Sequence, residues 1–302
     1  MEDTKLKNIA EIIQKNRSVF WKKHKKQIPV WIRAGIQLLF FVLFPSAFTA
    51  AFSGVKYIAG QMGTGAQIEI TSFVMTLIML CAFTVVFGRF FCGFACAFGS
   101  LSDWVRAVYV WVSKKLKKKP VTLSAELTAA LSQIKYIVLV VILLLCFNGV
   151  YVRLKGCSPW AVFSMVHAGN FALGGYLVGV VLLILILCGM CVQERFFCRI
   201  LCPMGAIFSL LPVFPYFVLR RDRENCIPGC AACTKKCPSD IGLPETGSIE
   251  TRGECFMCQK CIGTCPKRNI HCGISGKQKG NEWWFTGIRV VILLLLYLWI
   301  GI

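Results

Sequence analysis

Acidic residues are scarce in this 302-residue chain: 14 Asp and Glu stand against 34 Lys and Arg, a formal charge of +20. Histidine is scarcer still, with only His24, His167 and His271. None of the three falls inside a long apolar run, where a membrane cytochrome would carry axial ligands, so no haem is expected. No Walker loop is present, and no glycine fingerprint follows a strand, which sets aside the usual nucleotide-binding classes. "GQMGTG", residues 60–65, is a lone glycine cluster that reads as a turn.

What the chain has instead is apolar residues, 56% of the total, gathered in blocks, with only 16% charged. A bilayer core needs about 20 consecutive apolar residues as helix. Five stretches qualify, roughly Trp31–Phe52, Thr71–Arg89, Ala129–Gly149, Phe171–Gln193 and Trp283–Ile302, and the third carries Lys135 near its start. The first 29 residues, with "WKKHKKQIP", read as a basic amphipathic segment against the membrane surface rather than as a cleaved leader.

The basic residues sort by side. Eight precede the first span and thirteen lie between the fourth and fifth, counting Arg195, whereas the loop between spans one and two has only Lys56, and that between spans three and four only Arg153 and Lys155. By the positive-inside rule the N-terminus and the long segment after span four are cytoplasmic and the C-terminus is outside, in the cytoplasmic membrane. The positive charge is thus read as topology signal and lipid contact, with no nucleic-acid partner expected, although a basic face would attract acidic redox carriers.

Eighteen cysteines remain to be explained. Most fall on segments placed inside the cell, where metal ligation is expected over disulfides. "CFMCQKCIGTCP" holds Cys255, Cys258, Cys261 and Cys265, with the spacing of the bacterial ferredoxin run. "CIPGCAACTKKCP" supplies Cys226, Cys230, Cys233 and Cys237, its first gap one residue longer than usual. With crossed ligation, Cys226, Cys230 and Cys233 join Cys265 in one [4Fe–4S] cluster, and Cys255, Cys258 and Cys261 join Cys237 in another. A structural zinc site usually arrives as separated cysteine pairs, a poorer fit to eight cysteines in two runs ending Cys-Pro. So small an insert builds little apolar core, and its clusters are expected to supply much of its folding free energy.

A second pattern is a repeat. "RFFCGFACAFG" at residues 89–99 returns as "RFFCRILCPMG" at residues 195–205, a constant shift of 106 that pairs Cys92 with Cys198, Cys96 with Cys202 and Gly99 with Gly205. Each phrase ends an apolar run, so two helix pairs of the same orientation are expected around a pseudo-twofold axis along the membrane normal. That axis brings Cys92, Cys96, Cys198 and Cys202 together at the cytoplasmic rim, the ligand count of a further Fe–S or other metal centre. Arg89 and Arg195 would sit at headgroup level or offset a cluster's negative charge. The bland alternative is that soft, small residues simply pack at helix ends.

Cys81, Cys188 and Cys191 fall in the membrane runs, as a further redox centre or as packing residues. Cys146 and Cys157 lie at the outer rim, Cys157 in "CSPW", an exit site, an outward ligand or a disulfide partner. Cys272 reads as spare. After the first phrase, Leu101, Trp104, Val105 and Val108 line one face of an amphipathic, interfacial helix.

Two membrane-edge Cys-x-x-x-Cys phrases followed by a two-cluster ferredoxin segment resemble the NapH/NosR-type membrane-bound polyferredoxins, over roughly residues 75–270, with one departure: Ala97 stands where Pro203 keeps the family's proline. The resemblance implies an electron-transfer subunit in which Cys92, Cys96, Cys198 and Cys202 form the paired motif. The expected fold is an all-α polytopic membrane protein of about five transmembrane helices, built on a duplicated two-helix unit, with an inserted cytoplasmic two-cluster ferredoxin-like module. Its parts are the leader (1–29), two membrane repeats (30–119 and 120–220), the module (221–275) and a last helix (281–302). Expected partners are the lipid bilayer, a cytoplasmic donor of the ferredoxin or flavodoxin kind, quinone, and a membrane or extracytoplasmic acceptor. Rival readings are a quinol/quinone oxidoreductase subunit, a copper-ion reductase serving metalloenzyme assembly through soft thiolates, and a scaffold whose clusters only fold it.

Overall fold

The computed structural model describes residues 28–215, 217, 219–221, 226–242, 248–272 and 282–301; the basic leader up to residue 27, His24 included, lies outside them. α1 (Ile28–Leu43) meets α2 (Ala47–Thr64) at a bend of 58°. Pro45 lies in the break, where it has no N–H to continue the ladder and its ring crowds the preceding turn. The expected first span, Trp31–Phe52, therefore runs across this break instead of along one helix.

α3 (Ser72–Phe87) begins at Thr71, whose Oγ1 accepts the Val74 N–H at 3.4 Å. A π-turn over Phe91–Ala95 leads into α4 (Ala97–Lys115). α5 (Ala125–Leu131) and α6 (Ile134–Phe147) follow, then a 3₁₀ segment, Val150–Cys157, and α7 (Pro159–His167). α8 (Leu177–Val192) leads to a second π-turn, Phe197–Leu201, and to α9 (Pro203–Leu210). α10 (Ala232–Lys235) lies in the cysteine-rich segment and α11 (Glu282–Ile300) follows it.

Ala125–Phe147 and Glu282–Ile300 are long and apolar enough to cross a membrane, and the bent pair α1–α2 makes a third if it is one span. α3 and α8, 16 residues each, are apolar but reach only about 24 Å at 1.5 Å per residue, short of a hydrocarbon core of about 30 Å. Their outer faces are greasy: Ile137, Val140 and Leu144 on α6, Ile184 and Leu185 on α8, and Leu295 and Leu298 on α11 are all more than half exposed. Apolar surface in such quantity marks a membrane or partner contact.

The 106-residue shift carries α3 onto α8, the first π-turn onto the second residue for residue, and the start of α4 onto the start of α9. It also carries α1 onto α6 and α2 onto the stretch that holds α7. The repeating unit is thus larger than the two helices read from apolar runs, because α7 is too short to register as a span.

The cysteine-rich segment is not purely helical. β1 (Leu219–Arg221) pairs antiparallel with β2 (Ile249–Glu250) and β3 (Ile270–Cys272), setting Leu219 opposite both Glu250 and Cys272. Strands of two or three residues leave no readable alternation, which explains why an all-α chain was expected. The core lies where the π-turns meet: Phe90, Phe91, Phe94, Phe98, Phe197 and Phe208 are at most 1% exposed. Phe98 stacks on Phe197 at 4.6 Å and meets Phe48 of α2 at 5.4 Å and Phe163 of α7 at 4.3 Å.

Candidate metal centres

Each Cys-x-x-x-Cys phrase folds the same way. The Cys96 N–H reaches the Phe91 carbonyl and the Cys202 N–H the Phe197 carbonyl, both at 2.9 Å and both spanning five residues. Such π-turns are uncommon and concentrate at functional sites. In consequence the paired cysteines do not share one face of a continuous α-helix. The first sits within the π-turn, and the second becomes the extended cap residue of the next helix. Gly99 and Gly205 close the motif, since a Cβ there would lie 2.7 Å from the Cys92 carbonyl oxygen and 2.9 Å from that of Cys198.

Cys92, Cys96, Cys198 and Cys202 are all buried, and each lies within electrostatic reach of the other three. Tyr297, within electrostatic reach of Cys96 and Cys92, is fifteen residues along α11 from Glu282, about 22 Å of rise. The four thiols are buried within the helical bundle.

Two arginines cross between the repeats. Arg195 donates to the carbonyls of Cys92 and, at 2.9 Å, of Gly93, and pairs with Asp103 at 2.7 Å. Arg89 donates to Gly253 at 3.0 Å. Both guanidinium groups lie over the ring of Phe256, at 4.6 Å for Arg89 and 5.1 Å for Arg195. They are 1% and 0% exposed, so a headgroup role is excluded and the offset of a buried negative charge fits. Among the described residues Nε and Nη2 of Arg89 have no hydrogen-bond partner, a costly arrangement for buried donors unless something anionic is held beside them. Four thiols, unspent guanidinium donors and walls of phenylalanine suit a sulfur-ligated cluster. Among the described residues no three His, Cys, Asp or Glu side chains form a group that would hold a single metal ion.

The module repeats the theme. Cys237, Cys255, Cys258 and Cys261 line one cavity, together with Arg221, Phe256, Met257 and Lys260. Each of these four thiols also lies within electrostatic reach of the other three. Burial pushes the thiols of Cys237, Cys255 and Cys261 up, so holding a metal there requires proton release. Met257 and Gln259 take positive φ, 49° and 60°, which lets the short loop wrap the cavity. For the other expected set, α10 with Cys233 packs on the turn Ile262–Thr264 that precedes Cys265. Arg221 donates to the Cys233 sulfur at 3.3 Å, and the Asn269 N–H to that of Cys265 at 3.3 Å. Cys226 and Cys230 are half-buried in the loop before α10.

The module docks on the duplicated phrases. A Cβ at Gly93 would fall 2.4 Å from the Phe256 carbonyl oxygen, so only glycine admits the Cys255–Cys258 loop there. The equivalent residue of the second repeat, Arg199, instead donates to the Pro238 carbonyl at 3.1 Å and pairs with Asp240 at 2.7 Å. Lys260 reaches Asp103 at 3.2 Å and also pairs with Glu194, while Glu254 takes Lys135 at 2.6 Å and Arg89 at 3.9 Å. Lys135, the lone cation of its apolar run, is fully buried by this pair. Burial works against ionisation of Asp103, yet Arg195, Arg33 and Lys260 hold its carboxyl well below the usual carboxylate range. Burial also opposes ionisation of Glu254, and Arg89 and Lys135 overcome it.

Other expected residues are dispersed. Cys188 is exposed on α8, Cys81 and Cys191 are half-buried, and no described interaction joins the three. Cys157 is half-buried at the end of the 3₁₀ segment, Cys146 is buried beneath α2, and Cys272 is buried on β3. His167 lies against Phe41 at 4.8 Å, and His271 pairs with Glu282 at 3.4 Å. In α4, Leu101 and Val105 pack on the core and Val108 is exposed; the helix starts buried rather than lying on a surface throughout. Asp103, Glu254, Phe256 and Tyr297 were not singled out from the sequence. A signal existed for the acids alone, as rare carboxylates beside cysteine phrases in a basic chain.

Comparison with known proteins adds a family. A 4Fe-4S binding domain matches residues 70–119 and again 176–221, so its two copies start 106 residues apart and cover the two Cys-x-x-x-Cys phrases. An uncharacterized protein of Methanocaldococcus jannaschii is 31% identical over 235 residues, 76% of this chain and 82% of that protein. The chain belongs to the NapH/NosR-type membrane-bound polyferredoxins. Other relatives are the putative electron transport protein YccM of Escherichia coli, 27% identical over 63% of this chain and 53% of its own length, and the ferredoxin-type protein NapH of Haemophilus influenzae, 24% identical over 63% and 64%. No solved structure matches the chain. As a polyferredoxin of this family it is a membrane-associated iron–sulfur electron-transfer protein binding [4Fe–4S] clusters.

Proposed function

We propose that this polyferredoxin carries electrons along three sites in a row, two in the cytoplasmic module and one inside the helical bundle. Cys226, Cys230, Cys233 and Cys265 hold the outermost, Cys237, Cys255, Cys258 and Cys261 the middle one, and Cys92, Cys96, Cys198 and Cys202 the innermost. Iron–sulfur clusters held there supply one-electron transfer; the chain supplies dry walls, thiolates, and positive charge from Arg89 and Arg195. The observation that carries this reading is the docking of the module. The loop bearing Cys255–Cys258 rests on Gly93 of one phrase and the Cys237–Pro238 turn is gripped by Arg199 of the other, so the middle cavity abuts the four-thiol centre.

In this reading five helical passes, with α1–α2 as one, put the module in the cytoplasm and the C-terminus outside. A soluble cytoplasmic carrier serves the module, and the buried centre serves an acceptor or donor in or beyond the membrane. The test is anaerobic iron and sulfide quantitation with EPR, on the wild type and on Cys198→Ser/Cys202→Ser. About twelve irons falling to about eight is expected. About eight in both proteins would leave only the two module clusters and overturn the buried centre.

A further inference from the structure

Resting on that assignment, we infer that Tyr297 of α11 is a positioning residue whose hydroxyl donates a hydrogen bond to the sulfur shell of the group held by Cys92, Cys96, Cys198 and Cys202. Tyr297 is 0% exposed, and among the described residues its Oη has no hydrogen-bond partner. Leaving such a group unpaired typically costs about 1–3 kcal/mol, so a native orphan calls for an explanation. The hydroxyl lies within electrostatic reach of Cys96 and Cys92 yet beyond hydrogen-bond distance of either sulfur. A metal–sulfur group held by the thiols would supply sulfur acceptors, and among the described residues this hydroxyl has no other hydrogen-bond partner.

The ring is held firmly enough to aim the hydroxyl. It packs against Phe44 at 4.9 Å and edge-on to Phe40 at 6.2 Å, both on or just after α1. The register of α11 is set from the module, where Thr286 and Gln259 exchange hydrogen bonds at 2.8 Å and 3.1 Å. Tyr297 stands eleven residues beyond Thr286, about 16 Å further along the helix. Arg289 donates to the Phe217 carbonyl and lies over Phe90 at 5.5 Å, fixing rotation between those two points. α11 belongs to neither repeat, so it supplies a donor that the duplication alone does not provide.

The experiment is potentiometric EPR titration of Tyr297→Phe in the full-length, cluster-loaded protein. A hydrogen bond to sulfur stabilises the reduced, more negative state, so its loss moves the midpoint of the buried centre to more negative potential. Iron content and the midpoints of the two module clusters are expected to stay unchanged. Incorporating 3,5-difluorotyrosine at position 297, a more acidic donor with the same ring, is expected to move the midpoint the other way. An unchanged midpoint in both variants, with iron content intact, overturns the inference while leaving the three-site reading standing. Loss of the buried centre's irons from the Phe variant would also overturn it, by showing a structural role instead. Absence of the buried centre from the wild type defeats the reading beneath it, a result the iron count separates from the other two.

Discussion

The two four-thiol sites that abut one another are built by different means. In the module, three of the thiols come from seven consecutive residues, Cys255–Met257–Gln259–Cys261 being one tight loop, and only Cys237 arrives from elsewhere. In the bundle, two thiols come from each half of a duplication, 106 residues apart, and their convergence depends on the packing of whole helices. The module site is lined by backbone in positive-φ conformation; the bundle site is lined by phenylalanine and flanked by two buried arginines. A local loop can be refolded by its metal, whereas a site spanning two helical repeats is preorganised by the apolar core around it. The first should collapse without iron, and the second should keep its frame.

Removing iron is therefore expected to have the largest and most unequal effect. Chelation under denaturant-free conditions, or Cys258→Ser, should render residues 226–272 susceptible to protease while the helical bundle keeps its circular dichroism. Equal protection of both regions in the metal-free protein would erase the contrast. Next comes Asp103→Ala, which strips Arg33, Arg195 and Lys260 of a shared, buried carboxylate. Breaking a buried charge network this way costs about 3–5 kcal/mol, measurable as lost stability in detergent, and the module should detach from the bundle with it.

Gly93→Ala sharpens the comparison at the junction. Its methyl would meet the Phe256 carbonyl, a backbone atom that cannot swing aside, so a loss of about 1–3 kcal/mol is expected. Slower electron passage between module and bundle should accompany it, with each centre's own spectrum retained. Smallest of all is Cys188→Ser. The residue is exposed on α8 and joined to no other thiol, so stability should change within about 0.5 kcal/mol and no centre should disappear. Loss of a signal there would revive a further centre among Cys81, Cys188 and Cys191.

Legibility followed the same division. The ferredoxin spacing of Cys255, Cys258, Cys261 and Cys265 is a local pattern, and local patterns read directly from a chain. The bundle site was readable only because the phrase "RFFC" occurs twice; a single copy would have passed for packing. Its surroundings were not readable, since nothing in an apolar run says that Pro45 breaks it or that Gly88 ends a 16-residue helix before a π-turn begins. Lys135 stood out within its run, but its partner Glu254 lies 119 residues away and only the fold joins them. Phe256, clamped between arginines from both halves, looked like one more aromatic in an aromatic-rich chain. Tyr297 was hidden for the same reason, as a tyrosine in the last apolar run.

The account turns on thiols from both repeats serving a single buried centre. EPR spectra of Cys92→Ser and Cys198→Ser, each made alone, test this most directly. One shared centre predicts that either substitution removes or alters the same signal, with both module signals left in place. Different signals lost from the two variants, or none lost from either, would mean that the repeats do not share a site.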